Sequence, residues 1–167
     1  EKDDSLPIML NSAGKPFPYL SKIVIGSKVP LQYIGPGAFT SFANLQSITW
    51  EEFGVSNITL GTSAFQGCKS LNDVKWIPHN VTHIGKACFK GCSTLQSLEG
   101  YEKVLLERVP TDCFNGCTAL KTVNHLPDST TTIGERAFAN CSSLSNIHDL
   151  PDTVTAMEDA AFDGCYG

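Results

Sequence analysis

The residues with the most chemistry to offer in this chain are its seven cysteines and four histidines. Thiolates and imidazoles at suitable spacing can hold zinc, form disulfides or supply an activated nucleophile. The cysteine count is odd, so a complete intrachain disulfide framework is excluded. No two cysteines form a Cys-x-x-Cys pair, and Cys88/Cys92 and Cys113/Cys117 lie four residues apart, as positions on one apolar face do. His79 and His83 have the spacing of a helical metal pair, yet they sit in the loop around Pro78 and lack the glutamate of a zincin motif. They read, with His125 and His148, as solvated loop histidines. Gly67-Cys68-Lys69-Ser70 resembles a phosphate loop but places a cysteine between glycine and lysine. Asn57, Asn80 and Asn140 begin glycosylation sequons, which matter only in a host that glycosylates.

The register of the cysteines gives them a different role. Phe39, Phe65, Phe89, Phe114, Phe138 and Phe162 recur at spacings of 26, 24, 25, 24 and 24. Three residues after them come Phe42, Cys68, Cys92, Cys117, Cys141 and Cys165, and Phe17 holds the same column in a degenerate earlier copy. A column that accepts phenylalanine or cysteine is an interior apolar slot, and free cysteine is among the most buried residue types. Cys88 and Cys113 alternate with Ala38, Ala64, Ala137 and Ala161 one residue before the anchor, which makes them small core residues. The expectation is buried, reduced thiols, with an occasional bond between stacked coils as the alternative.

Other columns repeat with the phenylalanine. An aliphatic stands five residues before it (Ile34, Leu60, Ile84, Val109, Ile133, Met157), leucine six after (Leu45, Leu71, Leu95, Leu120, Leu144), and Ile48, Val74, Leu98, Val123 and Ile147 nine after. A degenerate first copy runs from Met9, with Gly14 in place of the anchor. A unit this short cannot bury its own apolar face, so equivalent positions must stack into the continuous core of a solenoid. The Leu-x-x-Ile stretch predicts one short strand per coil, building a parallel sheet along the stack. Ala-Phe-x-x-Cys spaces its apolar residues one helical turn apart and predicts a short helix or 3₁₀ turn on the opposite face. Gly35, Gly85 and Gly134 stand where the backbone needs positive φ or close approach. Pro78, Pro127 and Pro151 mark where the strand stops.

With these residues in place the chain resembles the BspA-like leucine-rich repeats, whose loose pattern Leu-x-x-Ile-x-Leu-Pro-x-x-Val-x-x-Ile-Gly-x-x-Ala-Phe-x-x-Cys is matched best by Leu120 to Cys141 and Leu144 to Cys165. The resemblance covers Met9 to the end. It implies a right-handed α/β solenoid and an exported cell-surface protein of the kind linked to adhesion and binding of host proteins. A repeat scaffold does not name its ligand.

The reading divides the chain into a tether, residues 1–8, and a repeat domain of about seven coils, residues 9–167, the last one incomplete. The charged start Glu1-Lys2-Asp3-Asp4-Ser5 resembles the segment after the lipidated cysteine of some outer-membrane lipoproteins, or is simply a solvated terminus. The chain stops before the leucine that its last coil calls for, an end that reads as a truncated fragment or as a face for weak self-association. With 12 Lys and Arg against 17 Asp and Glu, and no basic run, nucleic acid and anionic lipid are poor partners.

The surface of the sheet is left to carry function. Residues flanking the buried Ile, Val or Leu point outward and are mostly small and polar. Three coils then carry an extra residue before the Leu-Pro or Ile-Pro pair: Trp76, His125 and Asp149. Trp50 falls in the same column, with Tyr101 close by, and His148 extends it. Trp50, Trp76, Tyr101, His125, His148 and Asp149 therefore form a candidate binding stripe, since tryptophan and tyrosine dominate recognition surfaces. The expected function is an extracellular binding or adhesion module for a host or matrix protein, without enzyme activity, metal or cofactor. The alternatives are a carbohydrate-binding surface protein on the same stripe and a structural spacer.

Overall fold

The computed structural model describes residues 17, 19–25, 31–50, 57–75, 77–147 and 150–167. The tether, most of the degenerate first copy, Trp76, His148 and Asp149 lie outside the described residues.

The Ala-Phe-x-x-Cys segment is not helical, and its backbone explains why. Two residues before each anchor phenylalanine, φ is positive at Gly37, Ser63, Ala87, Asp112, Arg136 and Ala160; two residues after, it is positive again at Ser41, Gly67, Gly91, Gly116, Asn140 and Gly164. A left-handed residue on each side of the anchor ends any helix before a turn of it can form. The result is a string of β-turns whose successive N–H groups alternate in direction. In the coil of Phe65, Ala64 N donates to Gly61 O (3.2 Å), Gln66 N to Ser63 O (3.1 Å) and Cys68 N to Phe65 O (3.2 Å), while Ser63, Phe65 and Gly67 N donate to Lys86, Cys88 and Lys90 O of the next coil at 2.8 to 2.9 Å. Among the described residues the one helical element is a single 3₁₀ turn, Tyr101–Lys103.

Strands occupy two columns rather than one. At the predicted Leu-x-x-Ile column, β1 (Lys22–Ile25) pairs in parallel with β3 (Ser47–Trp50). Farther along, among the described residues, an isolated bridge from Thr122 to Asn146 continues it. The first two coils carry β-branched runs, Ile-Val-Ile and Ile-Thr-Trp, that suit a pleated surface. In the next two, Asp73 Oδ1 accepts from Lys75 N at 3.1 Å and Ser97 Oγ from Glu99 N at 3.0 Å, local bonds that take the donors away from a ladder. The second column ends on the aliphatic five residues before each anchor. Here β2 (Tyr33–Ile34), β4 (Ile58–Leu60) and β5 (Val81–Ile84) form one parallel sheet, and β6 (Arg108–Val109), β7 (Thr132–Ile133) and β8 (Ala156–Met157) another.

Glycine and proline set the limits of that second column. Gly61, Gly85 and Gly134 N donate to the column aliphatic of the preceding coil, Ile34, Leu60 and Val109 O, at 2.8, 2.7 and 2.9 Å. Their φ is not positive; the demand is for space. A Cβ on Gly85 would stand 2.4 Å from Thr62 N and one on Gly134 2.5 Å from Val109 O. Pro110 takes this position between β5 and β6 and has no N–H to offer Ile84, so the ladder breaks there. Pro78, Pro127 and Pro151 open turns closed by Val81, Thr130 and Val154 N, leading the chain into the second column.

Side chains between the strands and the turns form one core. Phe39, Phe65, Phe89, Phe114 and Phe138 are fully buried, and with half-buried Phe162 they stack in one row at centroid distances of 5.3, 5.7, 5.5, 5.3 and 5.2 Å. These lie in the favoured range for aromatic pairs, each worth roughly 0.5–1.5 kcal/mol beyond its buried area. The cysteine column runs beside them. Cys68, Cys92, Cys117, Cys141 and Cys165 Sγ donate to the anchor carbonyls of the preceding coil, Phe39, Phe65, Phe89, Phe114 and Phe138 O, at 3.1 to 3.3 Å. All seven thiols are free and all but half-exposed Cys165 are buried.

Candidate functional site

Three members of the sequence-derived stripe fall outside the described residues, and the structure separates the other three. Tyr101 does not belong to it: the residue is completely buried, edge-on to Phe114 at 5.2 Å and 74°. The reason is one step of register. Tyr101 N donates to Leu98 O at 2.7 Å, the turn that Ile77 makes with Val74 at 2.9 Å and Leu126 with Val123 at 3.3 Å, so the tyrosine fills the core leucine slot of its coil. Burial raises its phenol pKa, with Cys113 alongside. The stripe position in that coil is Gly100, at φ 99°, where a Cβ would lie 2.7 Å from Lys75 Cα.

Trp50 ends β3 and is half-buried, packed against the core along one side. The remainder lines a shallow cleft of about 340 Å³ with Thr49, Lys75, Pro78, His79 and Lys103. A flat aromatic surface, a hydroxyl and three basic side chains thus share one opening. Lys75 Nζ reaches Glu99 Oε2 at 2.8 Å, and this pair raises the lysine pKa and lowers that of the carboxylate. Both partners are about half exposed, so the contact adds little to stability. His125 is half-buried in the stripe column, its Nδ1 3.6 Å from Glu102 Oε2, and the same oxygen accepts from Gly100 N at 2.7 Å. Lys75, His79 and Lys103 were not legible as site residues in the sequence; the one signal was the outward position of Lys75 beside Val74.

The most strongly held charge lies elsewhere, on the turn face. Asp112 is almost wholly buried and accepts from Asn115 Nδ2 at 2.7 Å, Lys90 Nζ at 3.3 Å and Arg136 Nε at 3.3 Å. Burial alone would raise its pKa, but the hydrogen bonds from Arg136, Asn115 and Lys90 outweigh it and hold the carboxyl at about 2. Every cation here faces an acid already in place, an arrangement that fixes turns rather than activates a base. The thiols are equally poor nucleophiles: burial pushes Cys68, Cys113 and Cys141 up to about 12. Among the described residues no group of three or more His, Cys, Asp or Glu side chains could hold a metal ion.

Comparison with known proteins agrees with the repeat. The family described as BspA type leucine rich repeat region matches residues 17–124 and 107–167 in six copies. No curated protein matches the chain. A leucine rich cell surface protein of Faecalibacterium prausnitzii is 27% identical over 89% of this chain and 46% of its own, with a TM-score of 0.63. A leucine-rich repeat protein of Eubacterium ventriosum is 29% identical over 92% of this chain and 46% of its own, with a TM-score of 0.64. The chain spans about half the length of these two structures. The leucine-rich repeat protein of Treponema pallidum, 19% identical over 91% of this chain and 78% of its own with a TM-score of 0.61, shares the fold.

Proposed function

The chain belongs to the BspA-type leucine-rich repeat family, and from that premise we propose that it is a non-enzymatic binding module of a cell surface, holding a protein partner on the strand face that carries Trp50. Repeat solenoids of this kind present an extended surface on which partners dock, while the coils themselves supply rigidity. The observation that carries the reading is the cleft beside Trp50. Its aromatic surface is presented by a strand end and bounded by basic side chains from two later coils. Tryptophan beside polar and charged groups is the composition of an interface hot spot. The relative described as a leucine rich cell surface protein supports the location.

A glycan is the second reading, favoured by the same tryptophan surface lining an open cleft. One experiment separates the two: the full chain and its Trp76→Ala and Trp50→Ala variants are applied to an array of purified matrix proteins and a glycan array. A protein hit weakened about tenfold by Trp50→Ala, in a chain that still melts cooperatively, supports the proposal. A sugar hit with that dependence supports the second reading. Silence on both arrays refutes them and leaves the spacer.

A further inference from the structure

Two departures from the repeat coincide at the break between β5 and β6. The first is Pro110, which removes the donor that Gly61, Gly85 and Gly134 supply in other coils. The second is Leu105, 70% exposed. Its column carries Asn80, Ser129 and Thr153 in other coils. The remaining exposed large hydrophobics, Phe17, Tyr19, Val24, Ile147, Met157 and Tyr166, belong to coils at the two ends of the described stack, whereas Leu105 stands in its middle. A lone exposed leucine is ordinary on a protein surface. Leu105 differs in lying on a recess of about 570 Å³ opened by the ladder break and shared with Thr82, His83, Lys86, Glu107 and Arg108.

The charge of the recess is opposite to that of the chain. The protein carries a net −5, yet two permanent cations and a histidine line this opening against one carboxylate. Arg108 is held by both oxygens of Glu158. Lys86 is loosely held: its Nζ stands 3.9 Å from Asp112 Oδ2, while Lys90 and Arg136 approach that carboxylate to 3.3 Å. Lys86 can therefore turn to a new acid without leaving Asp112 unpaired.

We propose that this recess docks an extended segment of a protein partner, which sets an apolar side chain against Leu105 and a carboxylate beside Lys86. An apolar contact ringed by polar groups is the anatomy of a small interface, and the basic lining selects an acidic neighbour for the apolar anchor. This recess borders the second strand column and shares no lining residue with the cleft beside Trp50.

The test uses a phage-displayed random dodecapeptide library panned on the full chain, with the Leu105→Ser chain as the depleting target. Serine is what Ser129 places in this column, so melting should not change; if it does, Leu105→Asn, after Asn80, replaces it. The expected survivors carry an apolar residue next to Asp or Glu. Synthesised, they bind the parent chain about tenfold more tightly than Leu105→Ser and lose a similar factor on Lys86→Glu, while Trp50→Ala leaves binding unchanged. The proposal is overturned if no peptide survives depletion, if survivors lack a carboxylate or ignore Lys86→Glu, or if Trp50→Ala abolishes binding.

Discussion

Replacing Phe89 by alanine tests the stacked core where it is most fully made. The ring has no exposed surface and lies between Phe65 at 5.7 Å and Phe114 at 5.5 Å, nearly parallel to both. Deleting a buried phenylalanine side chain costs about 3–5 kcal/mol from lost transfer energy and the cavity left behind. Two ring contacts vanish together, which places Phe89→Ala toward the upper end. Phe162 supplies the internal comparison: it is half-buried and, among the described residues, stacks on one ring, Phe138, at 5.2 Å. Phe162→Ala should therefore cost less than half as much, roughly 1–2 kcal/mol. Urea unfolding followed by circular dichroism gives both values, and at slopes of about 1–3 kcal/mol/M the Phe89 variant should move its midpoint down by more than 1 M. Because each coil touches only its neighbours, Phe89→Ala should also lower the slope, as the two halves of the stack begin to unfold separately. A cost below about 1 kcal/mol at Phe89, or equal costs at the two sites, would refute the stacked-core argument.

Other consequences are as definite. Asp112 has a folded pKa of about 2, below its ordinary value of about 3.9, so its stabilisation is present above pH 4 and lost as pH falls toward 2. Asp112→Asn, which tolerates the positive φ of this position, should cost roughly 2 kcal/mol at pH 6 and nothing once the pH is well below the folded pKa; a gap that persists there would sink the assignment. Native alkylation at pH 8 read by mass spectrometry should mark Cys165 first and leave Cys92, Cys117 and Cys141 unlabelled until the chain unfolds. In thermal melts Gly85→Ala should be far more damaging than Gly91→Ala. The first new Cβ meets fixed backbone at 2.4 Å, while the second meets nothing closer than 3.9 Å and costs about 1–2 kcal/mol for its positive φ. The reverse order would be incompatible with the close coil contact at Gly85.

The columns of the repeat were legible because they are written in side-chain type: an aliphatic, a small residue, a phenylalanine and a cysteine at fixed offsets can only stack. Backbone conformation was harder to read. Ala-Phe-x-x-Cys has helix-like apolar spacing, but left-handed residues on either side of the phenylalanine override it, and Ser63, Ala87, Arg136 and Ala160 give no sign of this by type. Glycine at Gly67, Gly91, Gly116 and Gly164 was the available signal. The second strand column went unread because two to four residues are too few for period-two alternation to appear. At the site, the column reading joined Trp50 to its neighbours in the repeat, while the slip at Tyr101 came from aligning by aromatic type. Gly100 and the turn to Leu98 set the true register. The lysines of the cleft come from later coils, and no local pattern links them to Trp50.

The hydrogen bonds of the turn face have a direction. At each of the five junctions between anchor coils, three main-chain N–H groups flanking the anchor donate from the earlier coil to carbonyls of the later one, while only the cysteine thiols donate back to the anchor carbonyls. Aligned peptide groups add their dipoles, as in a helix, so this edge of the solenoid is polar along its length, positive toward the higher-numbered coils. A coil, cap or partner meeting the positive end on this side has to bring acceptors, and one meeting the opposite end has to bring donors. Two copies placed positive end to positive end would set donor against donor. Main-chain pairing through this face is therefore complementary head to tail, the heterologous geometry that builds rings or filaments, and not head to head.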